Sequence, residues 1–407
     1  MFGALRLPHT ILFGGGQRHV IGAAAARLGR RTLVCTDGRL AQLPVFAELL
    51  ADLAAQGVEA KVYDGTIPDL PIESIKDCVA GIGDFRPDSV IGIGGGSCID
   101  LAKVVSVLLT HGGEVSTYYG EFAVPGPVLP LIAVPTTSGT GSEVTPVAVI
   151  LDSGRGTKIG IASPYIIPHM AVCDPELTMT CPKGLTACSG ADALAHAVEA
   201  YTSKARPAEA MLTEQHVFIG KNLLSDHFAR LAVANVFRYL ARACADGGDV
   251  EAREGLMLAS LAAGCAFGTS GTAAAHALQY PVGNLTHTSH GDGVGALLPY
   301  VMQFNRSANP QAFAELAEVV DLGDAGMSVD QRSQLFIDEV AALFAGIGIP
   351  RSLAALGLGA GHEQDVAAGA LKAERLVKNN PRPLDLAAML NITQAAFAGE
   401  RAALRDL

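Results

Sequence analysis

The feature that most constrains this chain is an abrupt change of texture near Cys181-Pro182-Lys183-Gly184. Before it, short β-rich runs alternate with helical patterns. Residues 31–37 read as a strand and 40–56 as the helix after it; 89–93 read as a buried strand and 99–109 as a helix; 128–134 and 147–151 are further strands. Alternation of this kind implies a parallel sheet covered on both faces. Beyond the change, β-rich runs almost vanish, and residues 190–202, 208–223, 230–244, 252–267 and 311–320 carry helical periodicity. The expectation is an α/β domain over residues 1–181 and an all-helical domain over 182–407, with no internal repeat and no low-complexity tract.

Composition limits the partners. With 29 Lys+Arg against 40 Asp+Glu the net charge is −11, and no basic run exceeds a pair. That argues against nucleic acid or an anionic membrane as the main partner. At 17% charged and 49% hydrophobic residues the chain is too apolar for disorder. Eight cysteines are scattered without a C-x-x-C, as expected of reduced thiols packed as small hydrophobes in a cytoplasmic protein. The opening MFGALRLPHT lacks a basic region followed by an apolar run, so no signal peptide is expected. Residues 255–291 contain no Asp, Glu, Lys or Arg, but polar residues and three histidines interrupt them. A spanning helix needs about 20 predominantly apolar residues, so burial inside the protein is the better reading.

Two constellations carry chemistry. Ile91-Gly-Ile-Gly-Gly-Gly-Ser97 leaves a buried strand and enters a helix. Glycines let a backbone approach a pyrophosphate, Ser97 can cap the helix, and a helix N-terminus favours negative charge. A tight strand–helix turn explains a lone GGGS equally well. Its neighbours shift the balance: Asp37 ends an earlier strand, where a carboxylate bonds ribose hydroxyls, and Pro135-Thr-Thr-Ser-Gly-Thr-Gly-Ser-Glu143 ends a third. A dinucleotide is favoured, although Asp37 precedes the glycines, the reverse of the G-x-G-x-x-G order.

The second constellation is helical. Asp192 and His196 are four apart and share one helix face, where an ion pair or a satisfied core histidine is the commoner explanation. His276, His287 and His290 fall in one fifteen-residue window, where eleven histidines in 407 residues predict about 0.4. Histidines in an uncharged setting want a common partner, and a divalent metal supplies one. One carboxylate with imidazoles and no thiolate suits Fe2+ or Zn2+ better than Mg2+ or Ca2+. Pro281 and Gly283 are expected to place a turn between His276 and the later pair.

Taken together, the Gly94-Gly-Gly-Ser97 turn with Asp100 and Lys103, the 135–143 segment, Asp192-Ala-Leu-Ala-His196, Ser289-His290-Gly291, Leu298-Pro299-Tyr300-Val301 and Asn380-Pro381-Arg382 resemble the iron-containing (group III) alcohol dehydrogenases, from about residue 12 to 390. The resemblance implies a dehydroquinate-synthase-like α/β domain that binds the dinucleotide, a helical domain that binds metal, and a cofactor in the cleft between. It implies Asp192, His196, His276 and His290 as ligands of Fe2+ (or Zn2+). Asp37 matches a position whose carboxylate marks preference for NAD(H). Asp69, Gly95, Gly96, Ser97, Thr136, Thr137, Thr140, Thr145 and Lys158 match cofactor-contacting positions, and Phe267 a residue walling the pocket near the nicotinamide. His287 is then a neighbour of the site and not a ligand.

One position departs from the family pattern. Many members carry a further histidine four residues after the third ligand, and here that residue is Tyr280. A phenol can relay a proton but is a poorer base than imidazole. The expected activity is metal-dependent, NAD(H)-linked interconversion of a small alcohol and its aldehyde or ketone, in a homodimer or higher homo-oligomer. Rivals within the superfamily are a hydroxyacid–oxoacid transhydrogenase, a metal-independent reductase of the maleylacetate-reductase kind, and a lyase like dehydroquinate synthase. The uncharged segment argues against the lyase, whose polyanionic substrate needs several Lys or Arg. A catalytically silent sensor is the rival from another class.

Overall fold

The computed structural model describes residues 2–405. These divide into two compact units, one from 6–181 with 213–217, the other from 2–5, 182–212 and 218–405.

In the first unit, β1 (Thr10–Phe13), β2 (Arg31–Cys35), β3 (Glu59–Tyr63), β4 (Ser89–Gly94), β6 (Leu131–Pro135) and β9 (Met170–Cys173) form one parallel sheet in the order β1-β9-β6-β4-β2-β3. A short sheet of β5 (Gly120–Glu121), β7 (Val147–Asp152) and β8 (Thr157–Ala162) accompanies it. Because side chains alternate across a strand, Leu33, Val90 and Leu131 enter one apolar core while Val34, Ile91 and Ile132 enter the other. Helices α1 (Ile21–Leu28) and α2 (Pro44–Ala55) contribute to the second core, α3 (Ile72–Ile82) and α4 (Gly96–His111) to the first. A strand flanked by apolar residues on both faces reads as a continuous hydrophobic run, as β4 does. The order β6-β4-β2 sets the carboxyl ends of three strands side by side, the edge where parallel sheets bind ligands.

The second unit is mostly helical. Its central rod is α5 (Lys183–Thr202), buried along nearly its whole length from Thr186 onward. It packs against α7 (Leu223–Ala245), α8 (Val250–Ser270) and α10 (His290–Asn305). The uncharged stretch folds as α8 and α9 (Ala274–Thr286), which meet at a bend of 103°. Among the described residues no single helix is long and apolar enough to cross a membrane.

Four expectations need correction. Residues 208–223 are not one helix: only α6 (Leu212–Gln215) forms there. The surrounding backbone makes bonds elsewhere, the Arg6 guanidinium taking the Thr213 and Val217 carbonyls and the Glu121 carboxylate accepting from Val217 N at 2.6 Å. Ser97 does not cap α4; Gly95 holds that position and Ser97 falls in the first turn. Pro281 and Gly283 do not end a helix: α9 tolerates Pro281 in its interior, and the helical pattern resumes with His287 N bonding Gly283 O at 2.9 Å. The turn comes later, at His287, whose φ of 53° is left-handed. Finally, β1, β3, β5, β8 and β9 are not among the expected strands.

Candidate functional site

Helix α5 carries its acidic and imidazole groups on one stripe. Between Lys183 and Lys204 only Asp192 and Glu199 bear formal charge, and with His196 between them they fall at four- and three-residue steps along one face. His276 and Gln279 lie in the first two turns of α9, and His290 is the first residue of α10, whose N-cap is Ser289. Gly291 permits this: a Cβ there would stand 2.2 Å from the Cys188 carbonyl oxygen of α5, so only glycine lets the start of α10 approach so closely.

These elements converge on one oxygen. The Nε2 atoms of His276, His290 and His196 lie 3.5, 3.7 and 3.8 Å from Asp192 Oδ1. Ligand atoms of Asp192, His276 and His290 all lie within 4.8 Å of one another. Asp192 Oδ1 and His276 Nε2 are buried without a hydrogen-bond partner. Unpaired buried polar atoms carry a penalty of about 1–3 kcal/mol, and two that face each other across such a gap fit a shared cation. Burial opposes ionisation of Asp192, yet His196, His290 and His276 outweigh it and hold the carboxyl well below the usual range. Burial likewise disfavours the His276 cation, but Glu199 and Asp192 on either side raise its pKa to about 9.

The far nitrogens are also held. His276 Nδ1 lies 2.6 Å from Glu199 Oε2, and His290 Nδ1 lies 2.7 Å from Gln279 Oε1. Residue patterns singled out neither Glu199 nor Gln279, although the isolated second carboxylate of α5 was a signal available to be read. Phe267 stacks on the His196 ring, centroids 4.1 Å apart. Tyr280, one turn beyond His276, is half-buried, and His287 is exposed at the end of α9.

In the α/β unit, the loops after β2, β4 and β6 meet. Asp37 Oδ1 accepts from Arg39 N and Leu40 N, both at 2.9 Å, while Oδ2 faces the glycine turn through Cys98 Sγ at 3.8 Å. Thr136 N donates to Gly94 O at 2.9 Å. A Cβ on Gly96 would stand 2.8 Å from Thr140 Cγ2, and one on Gly95 would touch Thr137 at 3.7 Å. Asp69 and Lys158 form an ion pair at 2.6 Å. Thr145 closes the same segment, its hydroxyl accepting from Lys103 Nζ at 3.2 Å.

Lys103 explains the pairing of Asp100 and Lys103 on α4. Fully buried, it donates to Ser142 Oγ, Thr145 O and Val147 O at 3.0, 2.9 and 2.8 Å, while Asp100 accepts from Ser142 Oγ and from Val149 N. Thus α4 lashes down the segment that follows β6. Burial lowers the Lys103 pKa to about 8 and raises that of Glu143 to about 7.

Comparison with known proteins gives matches along most of the chain. The family model "Iron-containing alcohol dehydrogenase" matches residues 8–175, and "Fe-containing alcohol dehydrogenase family, C-terminal" matches 186–397. The chain is 35% identical to long-chain-alcohol dehydrogenase 1 of Geobacillus thermodenitrificans (strain NG80-2), over 92% of this chain and 91% of that protein. It is 31% identical to the NAD-dependent methanol dehydrogenase of Bacillus methanolicus, over 92% and 95%. A crystal structure of a 1,3-propanediol oxidoreductase superposes with a TM-score of 0.91 at 32% identity, covering 98% of this chain and 100% of that one.

Proposed function

Since the chain belongs to the iron-containing alcohol dehydrogenase family and is an alcohol dehydrogenase, we propose that it interconverts a small alcohol and its aldehyde or ketone with NAD(H) and a divalent metal. The observation that carries the metal is the convergence of three Nε2 atoms on the buried Asp192 Oδ1, with that oxygen and His276 Nε2 left unpaired. Asp192, His196, His276 and His290 would hold it; one carboxylate with three imidazoles accepts Fe2+ and Zn2+ alike, and the family name points to Fe2+. When bound, the metal supplies Lewis-acid polarisation of the substrate oxygen, and NAD(H) supplies the hydride acceptor or donor.

The remaining work falls to the chain's own groups. The glycine turn at 94–96 and the start of α4 receive the pyrophosphate, with Ser97, Thr136, Thr137 and Thr140 offering hydroxyls around it. Asp37 bonds the adenosine ribose and repels a 2′-phosphate, and the Asp69–Lys158 pair borders the same cofactor. NAD use is in keeping with the NAD-dependent relative. Phe267 fixes the His196 ring by stacking and presents an apolar wall. The Tyr280 phenol exchanges a proton with the substrate oxygen. Eight free, buried cysteines fit a reducing cytoplasmic setting, and a homodimer or larger homo-oligomer completes the proposal.

Elemental analysis of purified protein, with NADH oxidation over small aldehydes and ketones before and after chelation, tests this reading. We expect about one metal per chain, activity lost on chelation and restored by Fe2+ or Zn2+. Alanine at Asp192, His196, His276 or His290 should remove metal and activity together while the α/β unit stays folded. Full activity in metal-free protein would overturn it.

A further inference from the structure

We infer that Glu199 is a positioning residue of the metal centre, one carboxylate that sets the His276 tautomer and also pins the start of the helix carrying it. The inference rests on the metal reading proposed above and extends it to a residue outside the ligand set.

Glu199 is 2% exposed, and three donors surround it: His276 Nδ1 at 2.6 Å, Ala273 N at 2.8 Å and Ala275 N at 2.6 Å. A helix begins with N–H groups that have no partner inside it, and α9 has no side-chain cap of its own. Glu199 fills that need from α5, two turns beyond Asp192. The neighbouring strand of backbone is secured from the other side, where Asn379 Nδ2 donates to the Ser270 and Thr272 carbonyls at 3.0 and 3.1 Å. Between them lies Gly271 with φ of 83°.

The imidazole of His276 is therefore clamped between two carboxylates of one helix, Glu199 on Nδ1 and Asp192 facing Nε2 at 3.5 Å. A carboxylate only accepts, so Nδ1 must carry the hydrogen, and in the neutral ring the lone pair then lies on Nε2, the atom aimed at Asp192. Glutamine at 199 would break this logic at little change in shape. Its NH2 cannot accept from the backbone, and turned round it would offer a donor to Nδ1 and release the tautomer. Partners of this kind are worth about 10- to 100-fold in metal affinity.

The test equilibrates full-length protein with a buffered Co2+ series and follows bound metal and the visible d–d bands of the Co2+ site. Glu199→Gln should weaken Co2+ binding by about 10- to 100-fold and alter the d–d bands, with circular dichroism unchanged. Glu199→Asp, which keeps the charge but withdraws it by one methylene, should fall between and stands in should the Gln variant fail to fold. Because Glu199 acts through His276, Glu199→Gln should add little to the loss caused by His276→Ala. Unchanged affinity and bands in both Glu199 variants, or losses that simply add to that of His276→Ala, would overturn the inference. Failure of the unmutated protein to take up Co2+ would instead remove the metal reading on which it rests.

Discussion

Glu143 gives a stability prediction that can be worked from the structure. It lies in the segment after β6, 2% exposed, and its Oε2 has no hydrogen-bond partner among the described residues. Burial is the largest influence on its carboxyl and raises the pKa from 4.5 to about 7, against the opposing pull of Lys103. The folded state thus holds the proton more tightly than the unfolded chain does. The contribution of Glu143 to stability is fully present below pH 4.5 and is lost as the pH rises through 7. At about 1.4 kcal/mol per pH unit, the loss amounts to about 3 kcal/mol. In a unit of this size that is roughly 6–12 °C in Tm. Glu143→Gln removes the titration but keeps the shape; its buried amide lowers stability by an amount that does not vary with pH. Calorimetry of both proteins at several pH values from 4.5 to 7.5 should show Tm of the unmutated protein falling relative to the variant. Curves that run parallel would refute the argument that burial outweighs the groups that favour the Glu143 carboxylate.

Two further outcomes are expected at the cofactor and the substrate. Asp37, proposed above to repel a 2′-phosphate by its charge, also supplies Oδ1 to Arg39 N and Leu40 N; Asp37→Asn should keep the turn and narrow the proposed preference for NAD(H), whereas Asp37→Gly should also lower Tm, and KM for NADH and NADPH measures the first effect. Equal use of both cofactors by the unmutated enzyme would count against that role. Tyr280→Phe should lower kcat roughly 100-fold with metal content unchanged, in the range typical of a lost proton donor, and equal kcat and KM would make Tyr280 a packing residue.

How much of this was legible depended on burial and on distance along the chain. The run 89–93 was read correctly within a residue of β4 because a strand buried on both faces is apolar throughout. At the sheet margin β3 escaped notice, since Glu59-Ala-Lys-Val-Tyr63 is mostly half-exposed and its polarity masks the period. β1 and β9 are only four residues long. The histidines of the site stood out because they lie in an uncharged segment, and Asp192 with His196 because helical spacing joins them. Gln279 carried no such mark: an amide beside a histidine is common, and only the approach of α10 to α9 brings it to His290. The turn at His287 was hidden for a related reason, as an unusual backbone conformation at a non-glycine residue leaves no signature in composition.

The uncharged stretch has a consequence for how the protein is made. Thirty-seven residues, 255–291, leave the ribosome without one charged side chain to keep them in water, and Pro281 is the one proline that interrupts them. The two helices they form meet this differently. α8 packs on α5 and α7, both synthesised before it, so its cover is waiting when it emerges. α9 packs on α10, which follows it at once, and on residues Glu363–Ala370, so its cover is completed only when roughly the last tenth of the chain is being translated.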